Sequence, residues 1–126
     1  MNWLGLVLVV FVLGYVAYRM LPAKGVRSIR TEELKQMLLS KHPLVQYIDV
    51  REPGEFRNGH IQGFRNIPLG QLKRRLGELD RDKPVVVMCH SGMRSAQAAR
   101  LLVKQGFSDV RNVSGGMLAW NSRRGG

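Results

Sequence analysis

Hydrophobic and polar positions divide the chain into two unlike parts. Trp3 to Tyr18 is an uncharged run: Trp3, Leu4, Gly5, Leu6, Val7, Leu8, Val9, Val10, Phe11, Val12, Leu13, Gly14, Tyr15, Val16, Ala17, Tyr18. As a helix this run spans about 24 Å, and Met1 to Leu21 spans about 31 Å. The longer figure matches a bilayer core of about 30 Å if Arg19 snorkels to the headgroups. Trp3 at one end and Tyr15 and Tyr18 at the other suit interfacial aromatic belts. A cleaved signal peptide is the alternative, and it wants a positive leading region and an A-x-A-like exit. Here only Met1 and Asn2 precede the run, and the exit reads Ala17-Tyr18-Arg19-Met20. Residues 1–21 are therefore expected to form one transmembrane helix.

Beyond a short linker at 22–25, with Pro22 and Gly25, the pattern changes to short apolar runs alternating with amphipathic ones. Ile29 suggests a first strand. Thr31 is expected to cap a helix with Glu32 and Glu33 in its first turn and a Leu34, Met37, Leu38 stripe. Leu44 to Val50 reads as a buried strand, and Pro53-Gly54 ends it before a helical turn over 55–58. A short strand is expected near Asn66-Ile67, then a basic helix over 70–79 broken at Gly77. Pro84 to Met88 is unbroken apolar, the mark of a central parallel strand. Helical spacing follows over 94–105, with Gly106 as a stop. Val110 to Val113 is a last strand, followed by Gly115-Gly116 and a short helix through Trp120. Strands alternating with helices mean a parallel α/β sheet over residues 26–121. Residues 122–126 are expected to be a disordered tail.

Composition changes this picture in three ways. At 126 residues the chain is one domain plus an appendage, which excludes a large multidomain enzyme. Lys and Arg number 20 against 9 Asp and Glu, a net charge of +11. Every basic residue lies at or after Arg19, so the positive-inside rule keeps the C-terminal domain in the cytoplasm. The expected location is a single pass in the cell inner membrane, with the basic domain near anionic headgroups. Nucleic acid is not expected as a partner, because Lys73, Arg74 and Arg75 form a lone basic triplet without interleaved aromatics. The single cysteine, Cys89, rules out an intrachain disulfide framework. One Cys and three His also argue against a closed structural zinc site.

Candidate chemistry centres on Cys89. It directly follows the apolar strand, where ligands of open α/β sheets bind. His90, Ser91, Gly92, Met93 and Arg94 follow, and then a helix begins. A strand, a glycine-containing loop and a helix N-terminus make an anion cradle from backbone N–H groups and the dipole. The same features favour thiolate over thiol. Arg94 would add a fixed positive charge. The bland alternative is a small apolar residue closing a core strand.

Four segments in order then resemble the rhodanese family of sulfurtransferases. They are Asp49-Val50-Arg51-Glu52-Pro53-Gly54-Glu55-Phe56; Gly59-His60-Ile61-Gln62-Gly63-Phe64 through Ile67-Pro68-Leu69; the loop Cys89 to Ser95; and Gly115-Gly116-Met117 to Trp120. Phe64 stands where the family usually has Ala. The resemblance implies a five-stranded parallel sheet flanked by helices. It implies that the Cys89 thiolate takes sulfur from a donor such as thiosulfate and holds it as a persulfide. The cradle would be His90, Ser91, Gly92, Met93, Arg94 and Ser95. The sulfur would then pass to cyanide or a thiol, with no metal or organic cofactor. Asp49, Arg51 and His60 are expected to support the site architecturally, and Trp120 to sit in the core. The sequence leaves a protein partner open.

Two other readings compete. Related folds with a C-x5-R loop are phosphatases or arsenate reductases. Here four residues separate Cys89 from Arg94, a loop expected to be too small for a tetrahedral oxyanion. A noncatalytic binding module is the other, and inactive members of the family often lose the cysteine that this chain keeps.

Overall fold

The computed structural model describes residues 2–20, 25–41 and 44–124. The domain begins with strand β1 (Val26–Ile29) and helix α2 (Thr31–Ser40), after the N-terminal helix α1 (Trp3–Met20). Strand β2 (Gln46–Asp49), helix α3 (Pro53–Arg57), strand β3 (Arg65–Asn66) and helix α4 (Leu69–Leu72) follow. A 3-10 segment (Lys73–Glu78) leads to strand β4 (Val85–Met88), helix α5 (Met93–Lys104), strand β5 (Val110–Val113) and helix α6 (Gly116–Arg124). The five strands form one sheet in the order β1-β5-β4-β2-β3. Every pairing is parallel.

The apolar run of β4 is explained by its place between β5 and β2, with both faces covered. Alternation sends Val85, Val87 and the next odd position, Cys89, into a cluster with Ala98, Ala99 and Leu102 of α5. Val86 and Met88 point the other way, into a cluster with Leu34 of α2 and Met117 of α6. Each fully buried Val or Leu contributes about 1.5–3 kcal/mol. The same parity places Val110 of β5 on the α5 side and Val113 on the α2 and α6 side.

Several sequence expectations need correction. Thr31 is the first helical residue of α2, not its cap; Arg30 is the N-cap and makes no side-chain cap bond. The basic helix expected over 70–79 is two short pieces. Its break falls at Arg75 (φ −111°, ψ 16°), not Gly77. The Arg75 guanidinium holds that kink by donating to Gln71 Oε1 at 3.0 Å and Glu78 Oε2 at 2.6 Å. The C-terminal helix runs through Arg124, so the tail expected over 122–126 starts too early; residues 125–126 lie outside the described residues. Trp120 is half-buried and packs on the α2 and α6 side of the sheet.

Helix α1 has 18 residues and is about 27 Å long. Among the described residues no helix is long and apolar enough to cross a membrane. Met1 and Leu21, which the expected span 1–21 needs, lie outside the described residues. So do linker residues 22–24 and the side chains of Tyr18 and Arg19.

Beyond β2 the chain is tied by a buried ion pair. Asp49 is fully buried and accepts from the Arg51 guanidinium at 2.8 Å and from the Arg51 backbone N–H at 3.0 Å. Arg51 also donates to the Gly59 carbonyl at 2.9 Å, which closes the segment carrying α3 against the sheet. Asp49→Ala leaves Arg51 buried without its counter-charge, and we expect a loss of about 3–5 kcal/mol. Urea unfolding of the variant checks this; a loss below about 1 kcal/mol would show that the pair is dispensable.

Candidate active site around Cys89

The Cys89 side chain leaves the end of β4 towards the first turn of α5 and has no exposed surface. Gly92 sits at φ 105°, a conformation that favours glycine, and serves as the N-cap of α5. That turn aims backbone donors inward. The Gly92 N–H reaches Sγ at 3.0 Å and the Ser95 N–H at 3.3 Å. The Ser95 hydroxyl lies 3.3 Å from Sγ. Burial opposes ionisation of the thiol. Hydrogen bonds from the Ser95 hydroxyl and from the N–H groups of Ser95, Gly92 and Ser91 outweigh it and hold the thiol below its ordinary value.

The loop keeps this shape because its carbonyls are held elsewhere. The Met117 N–H donates to the Cys89 carbonyl at 2.9 Å and the Leu118 N–H to the His90 carbonyl at 3.0 Å. Both donors belong to the otherwise unpaired first turn of α6. Gly116 makes the approach possible. A Cβ there would run into the Cys89 carbonyl oxygen and stand 2.8 Å from that of His90.

The cradle residues expected from sequence divide into two groups. Gly92 and Ser95 meet the sulfur. His90, Ser91 and Met93 turn their side chains to solvent, Met93 being 78% exposed. Of these three, only the Ser91 backbone N–H acts on Sγ. Arg94 departs from expectation. Its guanidinium makes a two-pronged pair with Glu55 of α3, at 2.7 and 3.0 Å, instead of turning onto the loop. The reason is that Glu55 is already aimed: its other hydrogen bond takes the Glu52 N–H at 3.0 Å, closing the capping box of α3. Arg94 is held above its ordinary value chiefly by Glu55, with a smaller contribution from a charge on Cys89.

Asp49 and Arg51 lie behind the site as described. His60 is exposed, stacks on Phe56 with ring centres 3.7 Å apart, and its Nδ1 donates to the Phe56 carbonyl at 2.9 Å. All three brace α3, not the sulfur. Two residues escaped the sequence reading. Glu55 stood in the helical turn and in the family segment without a role as partner of Arg94. Asn112 is a buried polar residue of β5 whose Oδ1 lies 2.5 Å from the Ser95 hydroxyl. The signal for Asn112 was a polar position interrupting an apolar strand. Among the described residues, no group of three or more His, Cys, Asp or Glu is placed to hold a metal.

These features define a parallel α/β protein with a buried, hydrogen-bonded cysteine seated at a helix N-terminus. The Rhodanese-like domain family model matches residues 30–123, and the chain belongs to that family. The thiosulfate sulfurtransferase GlpE of Shewanella oneidensis is 39% identical over 95 residues, which are 75% of this chain and 92% of that protein. The Bacillus subtilis protein YqhL is 38% identical over 113 residues, covering 90% of this chain and 86% of YqhL. A rhodanese-like domain protein from Staphylococcus aureus has a solved structure with a TM-score of 0.70 and 37% identity. That match covers 75% of this chain and 90% of that one.

The Glu55–Arg94 pair has a testable pH signature. The Arg94 guanidinium lowers the Glu55 carboxyl to about 2 from 4.5, against the opposing effect of burial. A lowered folded-state value means stabilisation fully present above about pH 4.5 and lost as the pH falls through about 2. The pair is about one-third exposed on each side, so its contribution is about 1 kcal/mol or less. Glu55→Gln should therefore be slightly less stable than the parent at pH 7, with the difference shrinking as the pH falls towards and through about 2. Urea midpoints across that range check this; a constant difference would sever the link to ionisation.

Proposed function

We propose that this rhodanese-type sulfurtransferase moves sulfane sulfur from a donor such as thiosulfate to a thiophilic acceptor, cyanide or a thiol, through a persulfide on Cys89. The observation that carries the reading is the convergence of loop N–H groups and the Ser95 hydroxyl on one buried sulfur. In the first half-reaction the Cys89 thiolate attacks the outer sulfur of thiosulfate. The new S–S bond forms at Sγ, the old one breaks, and sulfite leaves with the bonding pair. In the second, the acceptor attacks the outer sulfur, and the pair of the breaking S–S bond returns to Sγ. Two half-reactions through a covalent intermediate predict ping-pong kinetics.

Donor, thiolate and persulfide are all anionic, so the positive end of α5 favours each of them. Arg94 is proposed to contribute when an incoming anion draws its guanidinium from Glu55. After incubation with thiosulfate, the intact mass should gain one sulfur, and that of Cys89→Ser should not. An unchanged parent mass with several donors would favour the noncatalytic binding module instead. Arg94→Ala should lower thiosulfate turnover by about 10- to 150-fold, equivalent to one charge-assisted contact. Wild-type turnover in that variant would leave the cradle to the backbone alone.

We further propose that the N-terminal segment ties the domain to the cell inner membrane as a single pass, with the domain in the cytoplasm. In support, the described side chains of α1 carry no charge and, Val7 apart, are exposed. Helix α1 alone is not long and apolar enough to cross a membrane, so the proposed pass takes in the residues that flank it. Leu4, Leu8, Phe11, Leu13 and Tyr15 are each more than 60% exposed. Such a surface is costly in water and favourable in lipid. Full-length protein should sediment with membranes, and protease added to spheroplasts should spare the domain. Recovery in the supernatant would remove the anchor; digestion would reverse its orientation.

A further inference from the structure

The Ser95 hydroxyl has one proton and three acceptors within reach. Cys89 Sγ lies at 3.3 Å, the Gly92 carbonyl oxygen at 3.2 Å and Asn112 Oδ1 at 2.5 Å. The far end of the Asn112 amide fixes its orientation. Nδ2 donates to the Gly92 carbonyl at 3.3 Å, and turning the amide over would set two oxygens against each other there. Asn112 Oδ1 therefore faces Ser95, and an amide oxygen accepts without donating. While the Ser95 proton lies on Asn112, the hydroxyl turns a lone pair to the sulfur. That arrangement suits a thiol S–H and opposes a thiolate. Ser95 and Asn112 are both buried, so bulk water does not substitute for either partner.

Sulfur transfer places two different demands on that hydroxyl. In the thiolate the charge sits on Sγ, where a donated hydrogen bond stabilises it. In the persulfide the charge sits on the outer sulfur, and Sγ is a weak acceptor. We propose that the Ser95 hydroxyl is a two-position rotor between Cys89 Sγ and Asn112 Oδ1, and that Asn112 is a positioning residue setting how far the rotor serves the sulfur. The proton never leaves Oγ. When an acceptor attacks the outer sulfur, the electron pair returns to Sγ and the O–H swings from Asn112 to meet it. The role in turnover rests on the persulfide reading above; the rotor itself is tested on the bare thiol.

Among the described residues, the charged groups around Cys89 are Arg94 on α5, paired with Glu55 of α3 and near Glu52, the exposed His90 of the loop, and the Asp49–Arg51 pair beyond β2. None of them is altered in the test. Cys89 is the only cysteine, so the rate of iodoacetamide alkylation against pH reports it alone. Asn112→Ala removes the nearer of the two competing acceptors and leaves the Gly92 carbonyl at 3.2 Å, and Asn112→Leu does so while retaining volume. Either should lower the alkylation midpoint by roughly 0.5–1 pH unit, a three- to tenfold gain in thiolate at a pH below it. Ser95→Ala should raise the midpoint. Adding Asn112→Ala to Ser95→Ala should then change nothing further, because Asn112 acts through the hydroxyl. Thermal melts identify a variant that has lost its fold, and the other Asn112 substitution then decides. An unchanged or raised midpoint in the folded Asn112 variants, or an equal shift without Ser95, overturns the rotor. Failure to load sulfur from thiosulfate with this pattern intact would instead overturn the proposed function and leave the rotor standing.

Discussion

The site depends on where two carbonyl groups point. A loop of six or seven residues around a sulfur offers as many oxygens as N–H groups, and oxygens would repel a thiolate. Met117 and Leu118 remove the conflict by taking the Cys89 and His90 carbonyls into the first turn of α6. The loop is left with its donors facing inward. Helix α6 thereby satisfies its own orphan N–H groups and polarises the loop with the same bonds. Gly116 has to be bare for this to happen, since any side chain would occupy the space of the carbonyls it approaches.

A second set of contacts reaches the loop from the opposite flank. The buried Asp49–Arg51 pair fixes the chain leaving β2, and Arg51 grips the Gly59 carbonyl at the far side of α3. Helix α3 then presents Glu55, held by its own capping box, to Arg94 at the start of α5. A fully buried pair thus supports one that is about one-third exposed. The strongly desolvated pair sets position, and the more solvated pair is the one on which the proposed exchange of Arg94 draws.

What the sequence showed depends on how local the cause was. The central strand and Cys89 at its end were legible because unbroken Val85-Val86-Val87-Met88 has one structural meaning in a small α/β chain. The parallel sheet followed from the alternation of elements, and its five strands from the family resemblance. Helix ends were less legible. Thr31 has the chemistry of a cap but lies one position inside the helix, and α6 runs to Arg124, past its expected end at Trp120. Arg94 was legible as a charge but not as a direction, because its direction is set by Glu55, 39 positions earlier. Asn112 is 17 positions from Ser95 and belongs to another element. Such pairings arise from the fold and leave no periodic trace.

The complete burial of Cys89 separates reactivity from access. A thiolate-favouring cysteine on an open surface would be carried by peroxide to sulfenic and then irreversible sulfinic and sulfonic acids. Here an electrophile finds no sulfur surface to strike until the loop between Cys89 and Arg94 yields. The geometry that surrounds the sulfur with donors therefore also hides it from oxidants in the resting fold.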